Sequence, residues 1–164
     1  MIDNINAKTV ALIEPVENIK IVLPVEEIQI DEIFGADLVD MNEWKTKKYR
    51  YILTVIDIFS KFAWAIPLPN KTADSITSAF KTIFQERIPE KIWVDQGSEF
   101  YNATFKALLK KHDIEIYSTF GDHKSAVVER FNRTLKTNMW RQFTASNKSV
   151  LDWVDELPPL LKKI

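Results

Sequence analysis

The sequence predicts an α/β fold in which a five-stranded mixed sheet carries helices on both faces. Three β-rich segments follow one another through short links, which is typical of an antiparallel meander. Two further short apolar segments each come after a stretch with helical spacing, which is typical of strands that join a sheet in parallel. The resulting order, βββαβαβα, and the length of 164 residues fit one domain built on one sheet.

The meander is predicted from three segments rich in β-branched and aromatic residues. They cover residues 33–41, 49–59 and 62–68. The link at residues 42–48 is short and polar, and the link at residues 60–61 is a tight turn. Short links join neighbouring antiparallel strands, so the three segments are expected side by side in chain order.

Helical spacing dominates the second half of the chain. Apolar residues at Ile76, Phe80 and Ile83 predict a helix over residues 73–87, which Pro89 stops. The other predicted elements are a strand at residues 91–94, a helix at 102–111, a strand at 114–117, a long helix at 125–143, and a helix at 149–163 that Pro158 and Pro159 disturb.

Residues 1–32 differ from the rest of the chain. They contain no Gly, and a Pro-Val-Glu pattern that begins at Pro15 is repeated at Pro24. Alternation of Val or Ile with charge predicts extended structure, whereas the prolines argue against a central strand. We therefore expect residues 1–32 to be an N-terminal extension or linker of unknown role, and residues 33–164 to form the folded domain.

Composition excludes several classes of protein. The chain has no Cys, so it has neither a disulfide framework nor a Cys-based zinc site. His112 and His123 are too few for a structural zinc site. No apolar run reaches the roughly 20 residues of a membrane helix, and no signal peptide is recognisable. A soluble intracellular protein without a membrane partner is expected.

Charge is unevenly distributed along the chain, although the formal net charge is only −1. Residues 1–36 carry seven acids against two lysines, whereas residues 104–141 carry eight Lys and Arg against four acids. This basic excess predicts a phosphate-binding surface beside the candidate site described next.

Two acids, Asp37 and Asp40, lie in the first predicted strand. A charge flanked by apolar residues in a central strand is costly unless it is paired or binds a metal ion. A spacing of three puts the two side chains on opposite faces, so they are not expected to share one ion. Either residue could instead end the strand and bond to backbone, and spacing alone leaves this choice open.

Asp95 ends the fourth predicted strand and precedes a turn at Gly97. Sites in α/β sheets lie at the carboxyl ends of strands, so Asp95 is a candidate ligand; the alternative is an Asx-turn or a cap before the next helix. Glu99 is expected in an exposed loop or first turn.

Glu129 lies in the long helix, with Arg133 and Lys136 one and two turns further on. Taken alone, this could be a solvated face of paired charges. Together with Asp37 and Asp95, Glu129 completes a set of three carboxylates. The apolar stripe of the same helix is predicted at Val127, Phe131 and Leu135.

Three carboxylates suit phosphoryl transfer that uses two Mg²⁺ ions, roughly 3.5–4 Å apart. Such hard cations need oxygen ligands, and one carboxylate must bridge both ions. Basic residues on the same helix would hold DNA phosphates.

Four sequence blocks then identify a family. They are residues 36–41 (ADLVDM), 51–64 (YILTVIDIFSKFAW), 93–100 (WVDQGSEF) and 124–136 (KSAVVERFNRTLK). In this order they resemble the catalytic core of the retroviral-type integrases, the DDE enzymes of retroviruses, LTR retrotransposons and large DNA transposons. The sequences of these blocks are most similar to those of integrases of Maverick/Polinton-type elements and virophages.

The resemblance implies an RNase H-like fold with Asp37, rather than Asp40, as the first acid. It implies Asp95 and Glu129 as the second and third acids, so that the three are catalytic and hold two Mg²⁺ ions, for which Mn²⁺ may substitute. Thirty-three residues separate Asp95 from Glu129, slightly fewer than in the retroviral pattern, and the shortening falls in residues 119–123. Asp57 matches a structural position. The implied DNA contacts are Lys124, Ser125, Asn132, Arg133 and Lys136.

The implied activity is that of an integrase. It processes the 3′ ends of element DNA and joins them to target DNA, as an endonuclease and nucleotidyltransferase acting on nuclear or viral DNA. Residues 33–164 would be its catalytic core, which commonly forms a homodimer and a higher oligomer with DNA. Neither the zinc domain nor the C-terminal DNA-binding domain that the family usually carries is recognisable in these 164 residues, so a core fragment that retains only reverse strand transfer is expected.

Two other functions remain open from the sequence. An RNase H-like nuclease would hydrolyse an RNA–DNA hybrid without joining DNA ends. A domesticated, non-catalytic core would serve dimerisation or protein interaction, although an intact acidic triad speaks against it.

Overall fold

Five strands and four α-helices make up residues 29–118, 126–146 and 153–162, which the computed structural model describes. The strands are β1 (Ile33–Asp40), β2 (Tyr51–Asp57), β3 (Ala63–Leu68), β4 (Lys91–Trp93) and β5 (Glu115–Tyr117). The helices are α1 (Ala73–Phe84), α2 (Ala103–Lys111), α3 (Ala126–Ser146) and α4 (Trp153–Leu161), and a 3-10 helix covers Asn42–Trp44.

The strands form one sheet in the order β3-β2-β1-β4-β5. Strand β2 pairs antiparallel with β1 and β3, whereas β4 pairs parallel with β1 and β5. The predicted five-stranded mixed sheet, a meander extended by two parallel strands, is therefore confirmed. Strand β1 lies at its centre, as expected for a strand in which seven of eight residues are buried or half-buried.

Each face of the sheet has its own apolar core. Phe34 and Ala36 of β1 point towards α1 and α2, and pack there with Ile76 and Phe105. The alternate residues of β1 point the other way, and Val39 packs with residues of α3 and α4. Alternation along β1 thus assigns each side chain to one of two helical layers, and the prediction of helices on both faces is confirmed.

Helix α1 ends at Phe84, three residues before its predicted end. Thr72 caps its beginning by accepting a hydrogen bond from the Ser75 N–H. Beyond its end, the chain turns so that the Arg87 guanidinium lies 2.6 Å from Asp57 and 2.5 Å from Asp31. These ion pairs, made with residues far away in sequence, could not be read from local periodicity.

Helix α4 runs through Pro158 and Pro159, so the prediction that they disturb it is wrong. Both prolines are exposed, whereas Trp153 and Leu157 are buried on the opposite side of the helix. Apolar packing on that side outweighs the loss of two backbone donors.

No helix in the described part of the chain is long and apolar enough to cross a membrane. The predicted extended structure of the N-terminal segment falls almost wholly on residues 1–28, which lie outside the described residues.

Candidate active site

Asp37 lies in the middle of β1 on the side that faces α3. Its Oδ2 accepts a hydrogen bond of 2.8 Å from Asn132 Nδ2, and its Oδ1 accepts one of 2.8 Å from the Leu38 N–H. Strand β2 is hydrogen-bonded to β1 at the same residue, because the Thr54 hydroxyl donates to the Asp37 carbonyl at 3.2 Å. The Asp37 carboxylate is thus half-buried where β1 meets α3.

Asp40 is a turn residue. It is exposed at the end of β1, and its Oδ1 accepts hydrogen bonds of 2.7 Å from the backbone N–H and the side-chain amide of Asn42. The alternative interpretation of Asp40, a strand-end residue bonded to backbone, is confirmed. Of the two acids in β1, Asp37 is the one that contacts α3.

Asp95 is exposed and follows β4 by two residues. Parallel pairing sets Phe34 beside Ile92 and Gly35 beside Trp93. Continuation of that register would set Asp37 beside Asp95, on strands about 4.8 Å apart. After β4 the chain remains hydrogen-bonded to β5, because the Val94 N–H donates to the Tyr117 carbonyl at 3.1 Å.

The turn after Asp95 is shaped by Gly97 and Asn102. A Cβ at Gly97 would lie 2.5 Å from Oε2 of Glu99, so a larger residue at position 97 would displace the end of the flexible Glu99 side chain. Glu99 is half-buried there, which corrects the expectation of an exposed side chain. Asn102 caps α2 by accepting a hydrogen bond of 2.8 Å from the Phe105 N–H. Asp95 is therefore not the cap of α2.

Glu129 is exposed in the first turn of α3. It precedes Asn132 by three residues, so the two share one face of the helix. Because Asn132 is bonded to Asp37, that face is directed at β1. Glu129 consequently lies one helical turn from the Asp37 contact, towards the beginning of α3.

The donor atoms of this region suit a hard divalent cation, since all of them are oxygens. Among the described residues, no three acidic or His side chains are already gathered at metal-binding distance. The buried Oδ1 of Asn132, however, has no hydrogen-bond partner within the described residues and lies in the amide that bonds Asp37. An unused acceptor beside a carboxylate fits the water shell of a bound cation.

The predicted DNA contacts are only partly described. Lys124 and Ser125 lie outside the described residues. Arg133 and Lys136 are exposed on α3, whereas Asn132 is only 8% exposed and is engaged by Asp37. The placement of the predicted basic surface is wrong in part. Three of its cations belong to α2 on the opposite face of the sheet, namely Lys106, Lys110 and Lys111.

Asp57 is structural, as predicted. It is fully buried and accepts hydrogen bonds from the Ser60 hydroxyl at 2.5 Å and from the Arg87 guanidinium at 2.6 Å. Burial alone would raise the pKa of Asp57, but these hydrogen bonds outweigh it and hold the pKa below its ordinary value of 3.8. The Arg87 guanidinium also lies over the rings of Phe62 and Trp64.

Two features near the carboxylates were missed by sequence reasoning. Trp93 and Tyr117 stack with ring centroids 5.8 Å apart, and the pairing of Trp93 with Gly35 puts them on the face of Asp37. Burial raises the pKa of Tyr117, assisted by the charges of Glu32 and Glu115. The other missed feature is the cluster of cations at residues 45–50, which the sequence prediction divides between a polar link at 42–48 and the beginning of the second predicted strand.

Comparison with protein families and curated proteins gives a consistent result. The family model described as integrase core domain matches residues 31–119. A transposon-derived protein of Caenorhabditis elegans is 34% identical over 110 residues, which are 65% of this chain and 38% of that protein. A Ty1 transposon Gag-Pol polyprotein of Saccharomyces cerevisiae is 35% identical over 105 residues, 58% of this chain and 6% of the polyprotein. The chain spans well under half the length of these relatives.

Solved structures share the fold. A chain in the cryo-EM structure of the simian T-cell lymphotropic virus intasome in complex with PP2A regulatory subunit B56 gamma superposes with a TM-score of 0.71 at 21% identity. The match covers 84% of this chain and 49% of that one. The HTLV-2 integrase catalytic core domain in complex with magnesium, in its trimeric form, superposes with a TM-score of 0.60 at 20% identity, covering 82% of each chain. The predicted RNase H-like fold is confirmed, and the narrower resemblance to Maverick/Polinton-type and virophage integrases stays a prediction.

Proposed function

This chain belongs to the integrase core domain family, and from that membership we propose that it is a metal-dependent polynucleotidyl transferase. It cuts near the 3′ ends of an element's DNA and joins those ends to target DNA. The observation that carries the proposal is the hydrogen bond from Asn132 to Asp37, which directs the face of α3 that bears Glu129 towards β1. Further support comes from the pairing of β1 with β4, because its register, continued by two residues, would set Asp95 beside Asp37.

Asp37, Asp95 and Glu129 are the proposed metal ligands, for two Mg²⁺ ions or for Mn²⁺ in their place. When bound, such a pair activates a water or a 3′-hydroxyl and neutralises charge that develops on the attacked phosphate. The protein contributes placement: Asn132 orients the Asp37 carboxylate, and Arg133 and Lys136 hold DNA phosphates. No side chain forms a covalent intermediate with DNA.

The extent of the unit and its assembly are part of the proposal. Residues 33–164 act as the catalytic core and residues 1–32 as an extension or linker. The core pairs as a homodimer and forms a higher oligomer on DNA, with Lys124 and Ser125 as further DNA contacts. Its substrates are nuclear or viral DNA. Membership in the integrase core domain family and the transposon-derived relatives support this assignment.

The test compares four single variants on a branched DNA substrate that reports reverse strand transfer. Asp37→Asn, Asp95→Asn and Glu129→Gln are expected to lose Mg²⁺- and Mn²⁺-dependent product while keeping the unfolding temperature of the unmodified chain. Asp40→Asn is the matched control from the same strand, and it is expected to retain activity. Retained activity in Asp95→Asn would contradict the mechanism.

The same preparation distinguishes the alternatives. Hydrolysis of an RNA–DNA hybrid without joining of DNA ends would indicate an RNase H-like nuclease. Absence of both activities together with absence of Mn²⁺ binding would indicate a non-catalytic interaction module.

A further inference from the structure

The link between β1 and β2 concentrates positive charge. In the part that follows the 3-10 helix, residues 45–50, hereafter the β1–β2 link, four of the six residues are cations, and the single acid within residues 41–50 is Glu43. All four cations are exposed, and none forms an ion pair with the described part of the chain. They are Lys45, Lys47, Lys48 and Arg50. In a chain of net charge −1, this is an uncompensated basic patch.

The patch lies at the same edge of the sheet as the candidate site, namely the edge formed by the carboxyl ends of β1 and β4. Strand β2 begins with Tyr51 opposite Asp40, so the β1–β2 link extends beyond the carboxyl end of β1. Because β4 is parallel to β1, its carboxyl end and Asp95 lie at the same edge. Three strand residues separate Asp37 from the end of β1, which is roughly 10 Å.

The β1–β2 link is held in a defined shape. The Thr46 hydroxyl accepts hydrogen bonds from the N–H groups of Lys48 at 3.2 Å and Tyr49 at 2.8 Å. Just before it, the Trp44 carbonyl accepts a hydrogen bond of 2.9 Å from the Trp153 indole of α4. The Trp44 ring also meets the Trp140 ring of α3 edge-on, with centroids 4.7 Å apart. A loop ordered in this way loses little conformational entropy when it binds a ligand.

The patch continues the basic face of α3. Lys136 lines a cavity of about 90 Å³ together with Met41 and Trp44, so it lies next to the β1–β2 link. Along α3, the seven steps from Glu129 to Lys136 span roughly 10 Å. That is about three steps of duplex DNA at 3.4 Å each. The β1–β2 link therefore adjoins the part of the basic face of α3 that lies away from Glu129.

From these observations we infer that the β1–β2 link is a second phosphate-binding segment, which holds the backbone of duplex DNA beyond the reacting end. The inference rests on the proposed function, because that function supplies DNA at this edge. Duplex DNA fits because its backbone presents closely spaced phosphates to the four exposed cations, whereas residues 45–50 carry no exposed apolar side chain with which to enter a lipid surface.

The test compares two triple variants that remove the same charge. Lys45→Gln/Lys47→Gln/Lys48→Gln alters the β1–β2 link, and Lys106→Gln/Lys110→Gln/Lys111→Gln alters exposed lysines of α2 on the opposite face. Binding of a fluorescent duplex is measured by anisotropy over a range of NaCl concentrations. The first variant is expected to bind more weakly, and its slope of log K against log[salt] is expected to fall by about 0.9 for each lost phosphate contact. The second variant is expected to match the unmodified chain.

Three results would overturn the inference: an unchanged slope in the first variant, an equal decrease in both variants, or no duplex binding by the unmodified chain. Vesicles that contain phosphatidylserine form a further arm, and binding there that depends on the β1–β2 link, with duplex binding unaffected, would also overturn it. Failure of the proposed function is a separate outcome. It is judged by strand transfer of the unmodified chain and its loss in Asp95→Asn, whereas the inference is judged by DNA binding of the two triple variants alone.

Discussion

Asn132 of α3 donates a hydrogen bond of 2.8 Å from Nδ2 to Oδ2 of Asp37 on β1. The two residues are 95 positions apart, and their contact shows that the side of α3 bearing Asn132 meets the centre of the sheet. It links the helix that bears Glu129 to the strand that bears Asp37. This contact is therefore the first place to perturb.

Asn132→Leu keeps the side-chain size and removes the donor to Asp37. We expect Mn²⁺ affinity and strand transfer to fall roughly 10- to 100-fold, the usual cost of removing a group that orients a ligand. Fluorescence or calorimetric titration with Mn²⁺, carried out without DNA, isolates this effect from any DNA contact. Asn138→Leu on the same helix is the control, and equal Mn²⁺ affinity in the two variants would argue against a positioning role.

The Asp57–Arg87 pair is expected to make the fold sensitive to acid. Because the pKa of Asp57 lies below its ordinary value of 3.8, its ionised form stabilises the protein. That stabilisation is fully present above the ordinary value and is lost as the pH falls through the lowered pKa. Urea unfolding between neutral pH and pH about 2 should show a steep loss in the unmodified chain and a shallower one in Asp57→Asn.

At neutral pH the same substitution breaks a buried ion pair. Asp57→Asn should then lower the free energy of unfolding by roughly 1–3 kcal/mol, because buried hydrogen bonds of Asp57 are lost while Arg87 keeps its ion pair with Asp31. Asp113→Asn removes an exposed acid at φ 56°, a conformation that Asn tolerates, and serves as the control. Equal acid sensitivity in Asp57→Asn and the unmodified chain would show that other groups govern acid unfolding.

Trp153 anchors α4 to the turn that precedes the β1–β2 link. Trp153→Phe should lower the free energy of unfolding by about 1–3 kcal/mol, because the Trp44 carbonyl loses its indole donor. Trp153→Ala should cost about 3–5 kcal/mol, since the side chain is fully buried. Denaturant unfolding measures both. Trp140→Phe, at a ring that is 41% exposed, should change stability less, and a larger loss there would contradict the assignment of Trp153 as the anchor.

The prolines inside α4 offer a test in the opposite direction. Pro158→Ala should raise the free energy of unfolding by about 1–3 kcal/mol, because it restores a helical donor on an exposed face. Thermal and urea unfolding measure the change. A loss of stability would show that the ring of Pro158 contributes packing that the helix needs.

The strands and helices were predictable because their signals are local. Alternation along residues 33–41 and helical spacing at Ile76, Phe80 and Ile83 need no distant partner. The early end of α1 was not predictable, since it depends on Arg87 reaching Asp31 and Asp57.

The candidate site was predictable only as far as local signals reach. Strand parity showed that only one of Asp37 and Asp40 could face it, but the docking of α3 decides which. Likewise, counting charges along residues 104–141 could not reveal that the lysines of α2 lie on the opposite face. The face of the sheet on which a helical residue lies is set by how the helices pack, which local sequence patterns do not show.

Asp37, Asp95 and Glu129 are proposed to form one metal site. A crystal soaked in Mn²⁺ and measured at the manganese absorption edge would reveal that site. Anomalous density is expected between the carboxylates of Asp37 and Asp95, with Glu129 completing the coordination and with a paired second ion roughly 3.5–4 Å away. Saturating Mn²⁺ that leaves no density between Asp37 and Asp95 would contradict that proposal.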